Sequence, residues 1–404
     1  MVSSSSFDVL IIGSGPAGSF AAEAVARQGA RVALFDGRPP GEPKACGGGV
    51  TSKALKLWPF LREATGREIS EVEMYAPSGK GVRLKLSEPF VIFSRRTLDS
   101  YLQERARKAG AQVFRERVKV ASFDREHGPW VVRAPNGAEW SGRMLVAADG
   151  ANSPVARRLS GPLPPAEMEV AFGYRAPLPK FDEPVTAIAF LPGWAGYAWA
   201  FPRPDHISFG IATSQNAFDH NALDGLLWDF MVGYYRARAD RSVSLWSAAR
   251  ERKDDAIKEK LLKAVERYAA RIPGLSQEVL SSRRAAGDGW ALLGDAAGFA
   301  DPVTGEGIYY ALRSAELFAK AYLEGRPLEY EERWRADFGR ELCRAAQMRA
   351  RFYGVFWGAP FTERMIELAR AHPGIRRTLR ELIAGDQGYM NLKHVLARRA
   401  VWPF

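Results

Sequence analysis

The sequence has few of the residues that build metal centres, disulfide frameworks or membrane spans. Its 404 residues include two cysteines, Cys46 and Cys343, and five histidines, and no pair of them has metal-ligand spacing. This content excludes a disulfide framework, and we expect no metal site. The most hydrophobic window, residues 9–26, is interrupted by glycines, so we also expect no transmembrane helix.

The start of the chain, Met-Val-Ser-Ser-Ser-Ser, lacks the positive charge and the apolar core of a secretory signal. Together with the low cysteine content, this predicts a cytoplasmic protein. The length is sufficient for two domains with sizeable cores. A content of 47% hydrophobic and 25% charged residues is ordinary for a globular protein.

Positive charge is unevenly distributed along the chain. The net charge is +11, and residues 326–404 carry 15 Lys or Arg against 9 Asp or Glu. Aromatic residues lie among these charges, in the run Phe352–Trp357 and at Trp402 and Phe404. Such a segment can make a peripheral contact with an anionic membrane, or it can form helices with solvated arginines and inward-packed aromatics. No nucleic-acid-binding motif accompanies the charge, so we expect no nucleic acid partner.

A dinucleotide-binding pattern lies near the start of the chain. The apolar run Val9–Ile12 precedes Gly-Ser-Gly-Pro-Ala-Gly at residues 13–18, and a helical stretch and a second apolar run, Val32–Phe35, then lead to Asp36. The glycines allow a tight turn and close approach of a pyrophosphate, which the N–H groups and dipole of the following helix attract. Asp36 is placed to accept hydrogen bonds from an adenosine ribose. The pattern therefore predicts a bound dinucleotide.

A thiol in a glycine run follows ten residues after this carboxylate, in Lys-Ala-Cys-Gly-Gly-Gly-Val at residues 44–50. A thiol next to a dinucleotide site indicates redox chemistry. Cys46 is the candidate catalytic residue, as a proton donor, although an ordinary thiol is a weak acid for that task. It could also position a water, modulate the cofactor, or be a small buried apolar residue.

Two later segments favour a flavin as the dinucleotide. The segment 145–153 opens with a short apolar run that ends in Asp-Gly at Asp149, and residues 290–298 run into Gly-Asp at Asp295. The second carboxylate can bind a ribityl hydroxyl. The run Gly305–Ile308 then opens a long helix whose N-terminus can face the flavin N1 and O2. Each segment alone is typical of a buried strand or helix start, whereas the three motifs in this order predict FAD.

These motifs resemble the geranylgeranyl reductase family of flavoproteins, within the p-hydroxybenzoate-hydroxylase-like superfamily. Two motifs resemble signatures that are specific to this family and not shared across the superfamily. One is the cysteine-glycine run at residues 44–49, and the other is Tyr-Ala-Trp-Ala-Phe-Pro at residues 197–202, which resembles the family's substrate-site motif. The chain departs from the family at Ala212, where a second glycine is usual, and at Asp36, where Glu is usual. The resemblance extends from about residue 7 to about residue 325.

The motifs and the resemblance together imply a fold class and a domain organisation. The fold class is α/β: a discontinuous, Rossmann-like FAD-binding domain with an inserted antiparallel β-sheet substrate domain and a C-terminal helical segment. The expected bounds are 1–75, 94–165 and 280–325 for the FAD-binding domain, 76–93 and 166–279 for the substrate domain, and 326–404 for the helical region.

The resemblance also implies a cofactor and its contacts. The cofactor is FAD, with NADPH or a ferredoxin-type protein as electron donor. The implied cofactor-binding residues are Gly13, Gly15, Ala17, Gly18, Asp36, Gly47, Gly49, Arg95, Val120, Asp149, Asp295, Gly307 and Ile308. The neighbour Arg96 leaves the assignment of Arg95 ambiguous by one residue.

Three aromatic residues are the predicted substrate-binding residues. Tyr197, Trp199 and Phe201 alternate along a predicted strand, so their side chains should share one face. An isoprenoid chain binds through buried apolar area, and an aromatic face suits it. The same alternation is typical of an ordinary sandwich core, and that alternative stays open.

The expected function is FAD-dependent saturation of double bonds in a geranylgeranyl or polyprenyl chain, by hydride transfer from the flavin and protonation. The alternative is an FAD-dependent monooxygenase or halogenase acting on an aromatic substrate, which shares the scaffold but does not need a cysteine in a glycine loop. A third interpretation is a non-catalytic, flavin-binding redox sensor or docking protein.

Overall fold

The computed structural model describes residues 5–39, 46–121, 129–180, 183–214, 219–240, 255–356 and 358–401. Lys44 and Ala45, which open the cysteine-glycine run, lie outside the described residues, as do Trp357 and residues 402–404. Contacts divide the chain into two units. The first comprises Met1–Lys44, Arg96–Pro164 and Ile272–Ala346, and the second comprises Ala45–Arg95, Pro165–Arg271 and Gln347–Phe404.

The regular elements are named here in chain order. The strands are β1 (Ser5–Ile12), β2 (Val32–Phe35), β3 (Gly49–Val50), β4 (Gly66–Tyr75), β5 (Gly81–Phe93), β6 (Gln112–Phe114), β7 (Lys119–Val120), β8 (Trp130–Arg133), β9 (Glu139–Ala147), β10 (Met168–Ala176), β11 (Val185–Phe190), β12 (Gly196–Pro202), β13 (Ile207–Ser214), β14 (Glu266–Pro273), β15 (Ala286–Gly287), β16 (Trp290–Leu292), β17 (Val355–Phe356) and β18 (Ala359–Pro360). The α-helices are α1 (Pro16–Ala26), α2 (Ser52–Leu57), α3 (Arg95–Lys108), α4 (Pro154–Ser160), α5 (His220–Ala239), α6 (Asp255–Leu262), α7 (Gln277–Ser282), α8 (Ile308–Leu323), α9 (Tyr330–Trp334), α10 (Arg340–Phe352), α11 (Phe361–Ala371), α12 (Pro373–Ala384) and α13 (Leu392–Val401).

The first unit is built on a mostly parallel sheet. Its strand order is β15-β16-β9-β1-β2-β6, with β8 paired to β9 and β7 paired to β8. The pairs β1–β2, β1–β9, β2–β6 and β9–β16 are parallel. Val9, Leu10 and Ile11 of β1 are fully buried. A continuous apolar run is what a strand covered on both faces requires.

The second unit is built on a largely antiparallel sheet, in the order β14-β10-β13-β12-β11-β4-β5-β3. The pair β4–β11 is parallel. Apolar side chains on one face of this sheet pack against α5, through residues such as Leu227 and Phe230. Those on the other face pack against α11 and α12, through residues such as Ile366 and Leu379.

The predicted fold class is confirmed, with an α/β unit, an inserted and largely antiparallel sheet, and a helical C-terminal segment. The contact-based division differs from the predicted boundaries at several places. Residues 272–279 fall in the first unit and residues 347–404 fall in the second, and two further stretches differ for reasons visible in the structure. Residues 45–75 group with the second unit, because β4 pairs with β5 and β11 in its sheet. Residues 326–346 group with the first unit, where the Tyr330 hydroxyl donates to the Leu292 carbonyl over 3.0 Å.

One further expectation concerns membrane spans. In the described part of the chain, no helix combines the length and the apolar character that crossing a bilayer requires.

Candidate functional site

The glycine turn after β1 is shaped by two close backbone approaches. Gly13 has φ +102°, and a Cβ atom on it would lie 2.3 Å from the Ala148 carbonyl oxygen. A Cβ atom on Gly18 would lie 1.8 Å from the Gly13 carbonyl oxygen. Helix α1 then begins at Pro16 with Gly15 as its N-cap and no side-chain cap. Its first N–H groups are therefore available to an anionic ligand.

Asp36, at the end of β2, is held by two neighbouring side chains. The Arg38 guanidinium donates to Asp36 Oδ1 over 3.2 Å, and the Gln103 amide donates to Asp36 Oδ2 over 3.1 Å. Burial by itself would raise the pKa of Asp36, but the charge and hydrogen bonds of Arg38 bring that pKa below its ordinary value. A carboxylate oriented in this way stays ionised and can accept hydrogen bonds from a ribose.

The three motifs predicted to bind a dinucleotide meet at one edge of the first unit's sheet. Ile12, Ala147 and Leu292 are in register, so β1, β9 and β16 end side by side. Ligands of open α/β sheets bind beyond these carboxyl ends. A Cβ atom on Gly294 would lie 3.4 Å from the Ala17 side chain, so the third motif contacts helix α1 of the first.

Asp149 follows β9 at this edge. Its Oδ1 atom is buried and has no hydrogen-bond partner among the described residues. Burial raises the pKa of Asp149 to about 6. An unpaired buried carboxylate oxygen costs free energy unless a donor reaches it. A ligand with a hydroxyl or N–H group at this position would supply that donor.

The loop before α8 is ordered by Asp301. Its carboxylate accepts from the backbone N–H groups of Val303 and Thr304 over 2.8 and 2.9 Å. Helix α8 then begins at Ile308, with Gly307 as its N-cap and no side-chain cap. A Cβ atom on Gly307 would lie 3.1 Å from Asp295 Oδ1. Asp295 and the free N-terminus of α8 therefore lie together.

The Cys46 loop belongs to the second unit, and its glycines have separate structural reasons. Gly48 has φ +83°, and a Cβ atom on it would lie 2.1 Å from the Phe93 carbonyl oxygen. The Gly48 N–H donates to Cys46 Sγ over 3.3 Å, and the Phe93 N–H donates to the Gly48 carbonyl over 2.9 Å. Cys46 is partly exposed and forms no disulfide. The thiol is thus held against its own loop.

The predicted aromatic face is present on β12. The ring centroids of Tyr197 and Trp199 are 5.8 Å apart, and those of Trp199 and Phe201 are 6.1 Å apart. The intervening Ala198 and Ala200 face the opposite side and pack in the α5 cluster. Tyr197 and Phe201 are only partly buried, and they pack against the apolar cluster that includes α11 and α12.

This aromatic face lies against the Cys46 loop. A Cβ atom on Gly47 would lie 2.8 Å from the Phe201 ring and 3.7 Å from Trp199 Nε1, and one on Gly49 would lie 3.8 Å from Phe201. A Cβ atom on Gly210 would lie 2.1 Å from the Trp199 ring, so glycine there makes room for the indole. The structure therefore brings the Cys46 loop, through Gly47 and Gly49, against two of the three predicted substrate-binding residues.

The remaining predicted residues lie elsewhere. Arg95, the first residue of α3, is 3% exposed whereas Arg96 is exposed, so the buried arginine is the one that was predicted. Val120 lies on the short strand β7, in register with Val132 of β8, off the main path of the sheet.

Sequence reasoning missed several side chains that hold the site. Gln103 donates to the Ser14 hydroxyl over 2.9 Å as well as to Asp36. Arg38 bridges Asp36 to Asp99, whose Oδ2 it reaches over 2.7 Å. Arg203 donates to the Cys46 carbonyl over 2.6 Å. Only Arg38 had a local signal, since it stands two residues after the predicted ribose-binding carboxylate.

Comparison with known proteins agrees with this geometry. The model of the FAD binding domain family matches residues 6–321. The chain is 30% identical over 367 residues to a digeranylgeranylglycerophospholipid reductase of Methanothermobacter thermautotrophicus, covering 85% of this chain and 87% of that protein. This chain is a member of the geranylgeranyl reductase family of FAD-dependent flavoproteins.

Two further similarities support the family and the fold. The chain is 29% identical over 341 residues to a geranylgeranyl diphosphate reductase of Rhodobacter capsulatus, covering 80% of this chain and 78% of that protein. A crystal structure of a geranylgeranyl bacteriochlorophyll reductase-like protein from Thermoplasma acidophilum matches with a TM-score of 0.73 and 22% identity, covering 98% of this chain and 99% of that one. At 22% identity, the match to that crystal structure supports the fold alone of this geranylgeranyl reductase family member.

The first unit of this flavoprotein fits FAD on its own geometry. The turn at Gly13 and Gly18 leaves no room for side chains, the N-termini of α1 and α8 carry no side-chain caps, and Asp149 Oδ1 lacks a donor. These are the features that a pyrophosphate and a polar ring system would complete.

Proposed function

We propose that this flavoprotein reduces isolated double bonds in a geranylgeranyl or longer polyprenyl chain. The observation that carries the proposal is the contact between the aromatic face of β12 and the Cys46 loop, which combines an apolar binding surface with a thiol. The chain's similarity to a digeranylgeranylglycerophospholipid reductase and to a geranylgeranyl diphosphate reductase supports the substrate class.

Saturating an isolated alkene requires a hydride at one carbon and a proton at the other. When bound, FAD supplies the hydride chemistry. The protein must supply the proton and exclude water, because no neighbouring carbonyl stabilises charge on the substrate. We assign the proton to the Cys46 thiol, whose Sγ accepts from the Gly48 N–H and is thereby fixed relative to the loop.

The residues that would hold FAD follow from the cradle in the first unit. The Gly13–Gly18 turn would receive the pyrophosphate and Asp36 the ribose, while Asp295 and the N-terminus of α8 would receive the ribityl chain and the pyrimidine edge of the flavin. The proposed residues of the first unit are Gly13, Gly15, Ala17, Gly18, Asp36, Val120, Asp149, Asp295, Gly307 and Ile308. Arg95, Gly47 and Gly49 belong to the second unit and stay predicted FAD contacts on the family resemblance alone.

The substrate would bind through area rather than through hydrogen bonds. Burial of apolar surface contributes about 25 cal/mol per Å², so a long prenyl chain lying on Tyr197, Trp199 and Phe201 needs few polar contacts. Tyr197 and Phe201 are partly buried, whereas Trp199 is 5% exposed. We therefore expect the two outer rings to contact the chain and the indole to support them.

A direct test is an anaerobic incubation of the dithionite-reduced holoenzyme with geranylgeranyl diphosphate or with a digeranylgeranyl glycerophospholipid. Mass spectrometry should find products heavier by two hydrogens for each double bond that is reduced. The variant Cys46→Ala should lose most of this activity, and Cys343→Ala, which alters the other free thiol, should retain it.

The same experiment separates the alternative function. An unchanged substrate mass, followed by rapid flavin reoxidation and an oxygen-bearing product when air and an aromatic substrate are admitted, would replace the reductase with a monooxygenase. For the electron donor we propose NADPH or a ferredoxin-type protein. Stopped-flow reduction of the flavin by each of the two would distinguish them.

We further propose that the C-terminal segment makes a peripheral contact with an anionic membrane, where a lipid substrate would reside. Val355 and Phe356 of the β17–β18 hairpin are 79% and 43% exposed, Leu368 of α11 is 45% exposed, and Arg351 and Arg370 are exposed nearby in sequence. Exposed apolar groups interspersed with positive charge favour binding to anionic lipid.

Sedimentation with vesicles tests this contact. The protein should bind vesicles containing anionic lipid more strongly than vesicles of zwitterionic lipid alone, and Val355→Ser with Phe356→Ser should weaken that binding. A matched change at an exposed apolar residue outside the segment, Leu57→Ser, should not. Equal binding to both vesicle types would contradict the proposal.

A further inference from the structure

Arg203 connects the end of the aromatic strand to the Cys46 loop. It directly follows Pro202, the last residue of β12. One terminal nitrogen, Nη2, donates to the Cys46 carbonyl over 2.6 Å and to the Gly47 carbonyl over 3.2 Å. The Arg203 N–H donates to the His206 carbonyl over 2.7 Å, which closes the turn between β12 and β13. The loop and the aromatic strand are therefore joined by one side chain.

The guanidinium is buried with little to balance its charge. Arg203 is 2% exposed, and no carboxylate among the described residues forms an ion pair with it. Its Nε has no hydrogen-bond partner in the described part of the chain. Burial lowers the pKa of Arg203, although a guanidinium stays protonated. Burying a charge is costly, so a purely structural role would be filled more cheaply by a neutral residue.

A second buried arginine provides a contrast. Arg283 in the first unit also donates to backbone carbonyls, including those of Ala297 and Gly161. Its Nε is used, since it donates to the Ala297 carbonyl over 3.1 Å. Arg283 therefore has a partner for its Nε, whereas Arg203 directs its Nη2 to the carbonyls of Cys46, which carries the candidate thiol, and of Gly47.

His206 fixes the direction of the Arg203 guanidinium. His206 Nδ1 lies 2.7 Å from Asp205 Oδ1, so this nitrogen carries the proton, and Nε2 is free to accept from Arg203 Nη1 over 3.3 Å. Burial lowers the pKa of His206, and the charge of Arg203 lowers it further, which keeps the ring neutral near pH 7. The chain of contacts runs from the exposed Asp205 through His206 and Arg203 to the Cys46 carbonyl.

We propose that Arg203 is a positioning residue for the reaction. By holding the carbonyls of Cys46 and Gly47, it keeps the Cys46 thiol at a fixed position relative to the aromatic face of β12. The catalytic part of this inference rests on the proposed function. The structural part, that Arg203 holds the loop, does not depend on it.

Hydrogen exchange of the holoenzyme tests the structural part. The Phe93 N–H donates to the Gly48 carbonyl, so its exchange reports opening of the loop. Exchange at Phe93 should accelerate at least tenfold in Arg203→Gln and less in Arg203→Lys, while exchange in the Gly13–Gly18 turn stays unchanged. A control, Arg62→Gln, changes an exposed arginine of the same unit that pairs with Glu68. An unchanged rate at Phe93 in Arg203→Gln would overturn the proposal.

A double-mutant cycle tests the catalytic part. With a prenyl substrate, kcat should fall at least tenfold in Arg203→Gln, with KM within threefold of the wild type. In a Cys46→Ala background the same change should lower kcat less than twofold, because a residue that acts through Cys46 has nothing left to position. Equal losses in both backgrounds would overturn this part. If Arg203→Gln does not retain FAD, Arg203→Lys takes its place in both measurements.

No turnover by the wild type with any prenyl substrate would count against the proposed function. The exchange result would still decide whether Arg203 holds the loop.

Discussion

The glycine turn at residues 13–18 and the glycine loop at residues 46–49 both bring backbone into close contact, but they are stabilised by different means. In the turn, a Cβ atom on Gly13 or Gly18 would clash with backbone atoms of Ala148 or Gly13, and the helix that follows begins within the motif. In the loop, a Cβ atom on Gly48 or Gly47 would clash with the Phe93 carbonyl or the Phe201 ring, and the Arg203 guanidinium donates to the Cys46 carbonyl. The turn depends on strand and helix geometry, whereas the loop depends on backbone contact with Phe93 and, in addition, on side chains distant in sequence.

This difference has a functional consequence. A turn made of backbone contacts can adjust little and suits a cofactor whose position must not vary. A loop held partly by side chains can be altered in small steps by substituting those side chains. We therefore expect changes in the turn to act on FAD binding and folding, and changes in the loop to act on turnover.

The largest effect should come from Gly18→Ala. Its Cβ atom would lie 1.8 Å from the Gly13 carbonyl oxygen, and backbone cannot yield as a side chain can. We expect FAD content below a tenth of the wild type and a loss of about 3 kcal/mol or more in the free energy of unfolding. Flavin absorbance of the purified protein and urea denaturation measure the two.

The matched control for that change is Gly225→Ala, also in a helix but with nothing within 4 Å of the added atom. It should stabilise the protein by about 0.5–1 kcal/mol, as alanine does in helices. Normal FAD content in Gly18→Ala would contradict the view that this turn is closed by backbone contact.

The next effect concerns the carboxylate beside the turn. Burial raises the folded-state pKa of Asp149 to about 6, against an ordinary 3.8. Its contribution to stability is therefore fully present below about pH 4 and is lost as the pH rises through about 6. In flavin-free protein, Asp149→Asn should remove this dependence and raise stability at pH 7 by roughly 2–3 kcal/mol.

Urea denaturation at pH 4 and pH 7 measures the difference for both proteins. The same substitution should weaken FAD binding if Asp149 Oδ1 accepts a hydrogen bond from the cofactor. Equal pH dependence in the two proteins would mean that a donor already reaches Asp149 Oδ1.

A smaller effect on stability, with a larger effect on turnover, should follow Gly48→Ala in the loop. The residue has φ +83°, and its Cβ atom would lie 2.1 Å from the Phe93 carbonyl oxygen. We expect a loss of about 2 kcal/mol in stability and at least tenfold in kcat. The control Gly193→Ala has a similar φ of +77° but no atom within 4 Å, so it should cost only about 1 kcal/mol. Similar losses of kcat in both variants would show that backbone strain at a positive φ, and not displacement of the Cys46 loop, lowers turnover.

The sequence predicts the glycine turn better than the Cys46 loop, because the contacts of the turn are local and several contacts of the loop are not. The strand, glycine turn, helix and carboxylate lie within 36 residues, so their local order predicted the cradle of the first unit. The register of β1, β9 and β16 followed because each motif ends a buried apolar strand. The contacts of Gln103 with Ser14 and Asp36, and of Arg203 with Cys46, span 67 to 157 residues. Nothing local in the sequence indicates such pairs.

The domain boundaries illustrate the same limit. Residues 66–75 were assigned to the cofactor domain from the sequence, but β4 pairs with the neighbouring β5 and with β11, more than a hundred residues later. Strand pairing over more than a hundred residues depends on which edges are available after folding. A single sequence does not contain that information in its periodicity.

The smallest expected effect is at Ala212, where the family usually has glycine. Ala212 lies on β13 opposite Tyr197 and is 3% exposed. Gly210, two residues earlier, already makes the space for the Trp199 ring, so a second glycine has no contact to relieve on that side. We expect Ala212→Gly to lower stability by about 0.5–1 kcal/mol through backbone entropy and to leave kcat within twofold. Urea denaturation and steady-state kinetics measure both, and a severalfold rise in kcat would show instead that the alanine restricts how closely substrate approaches the aromatic face.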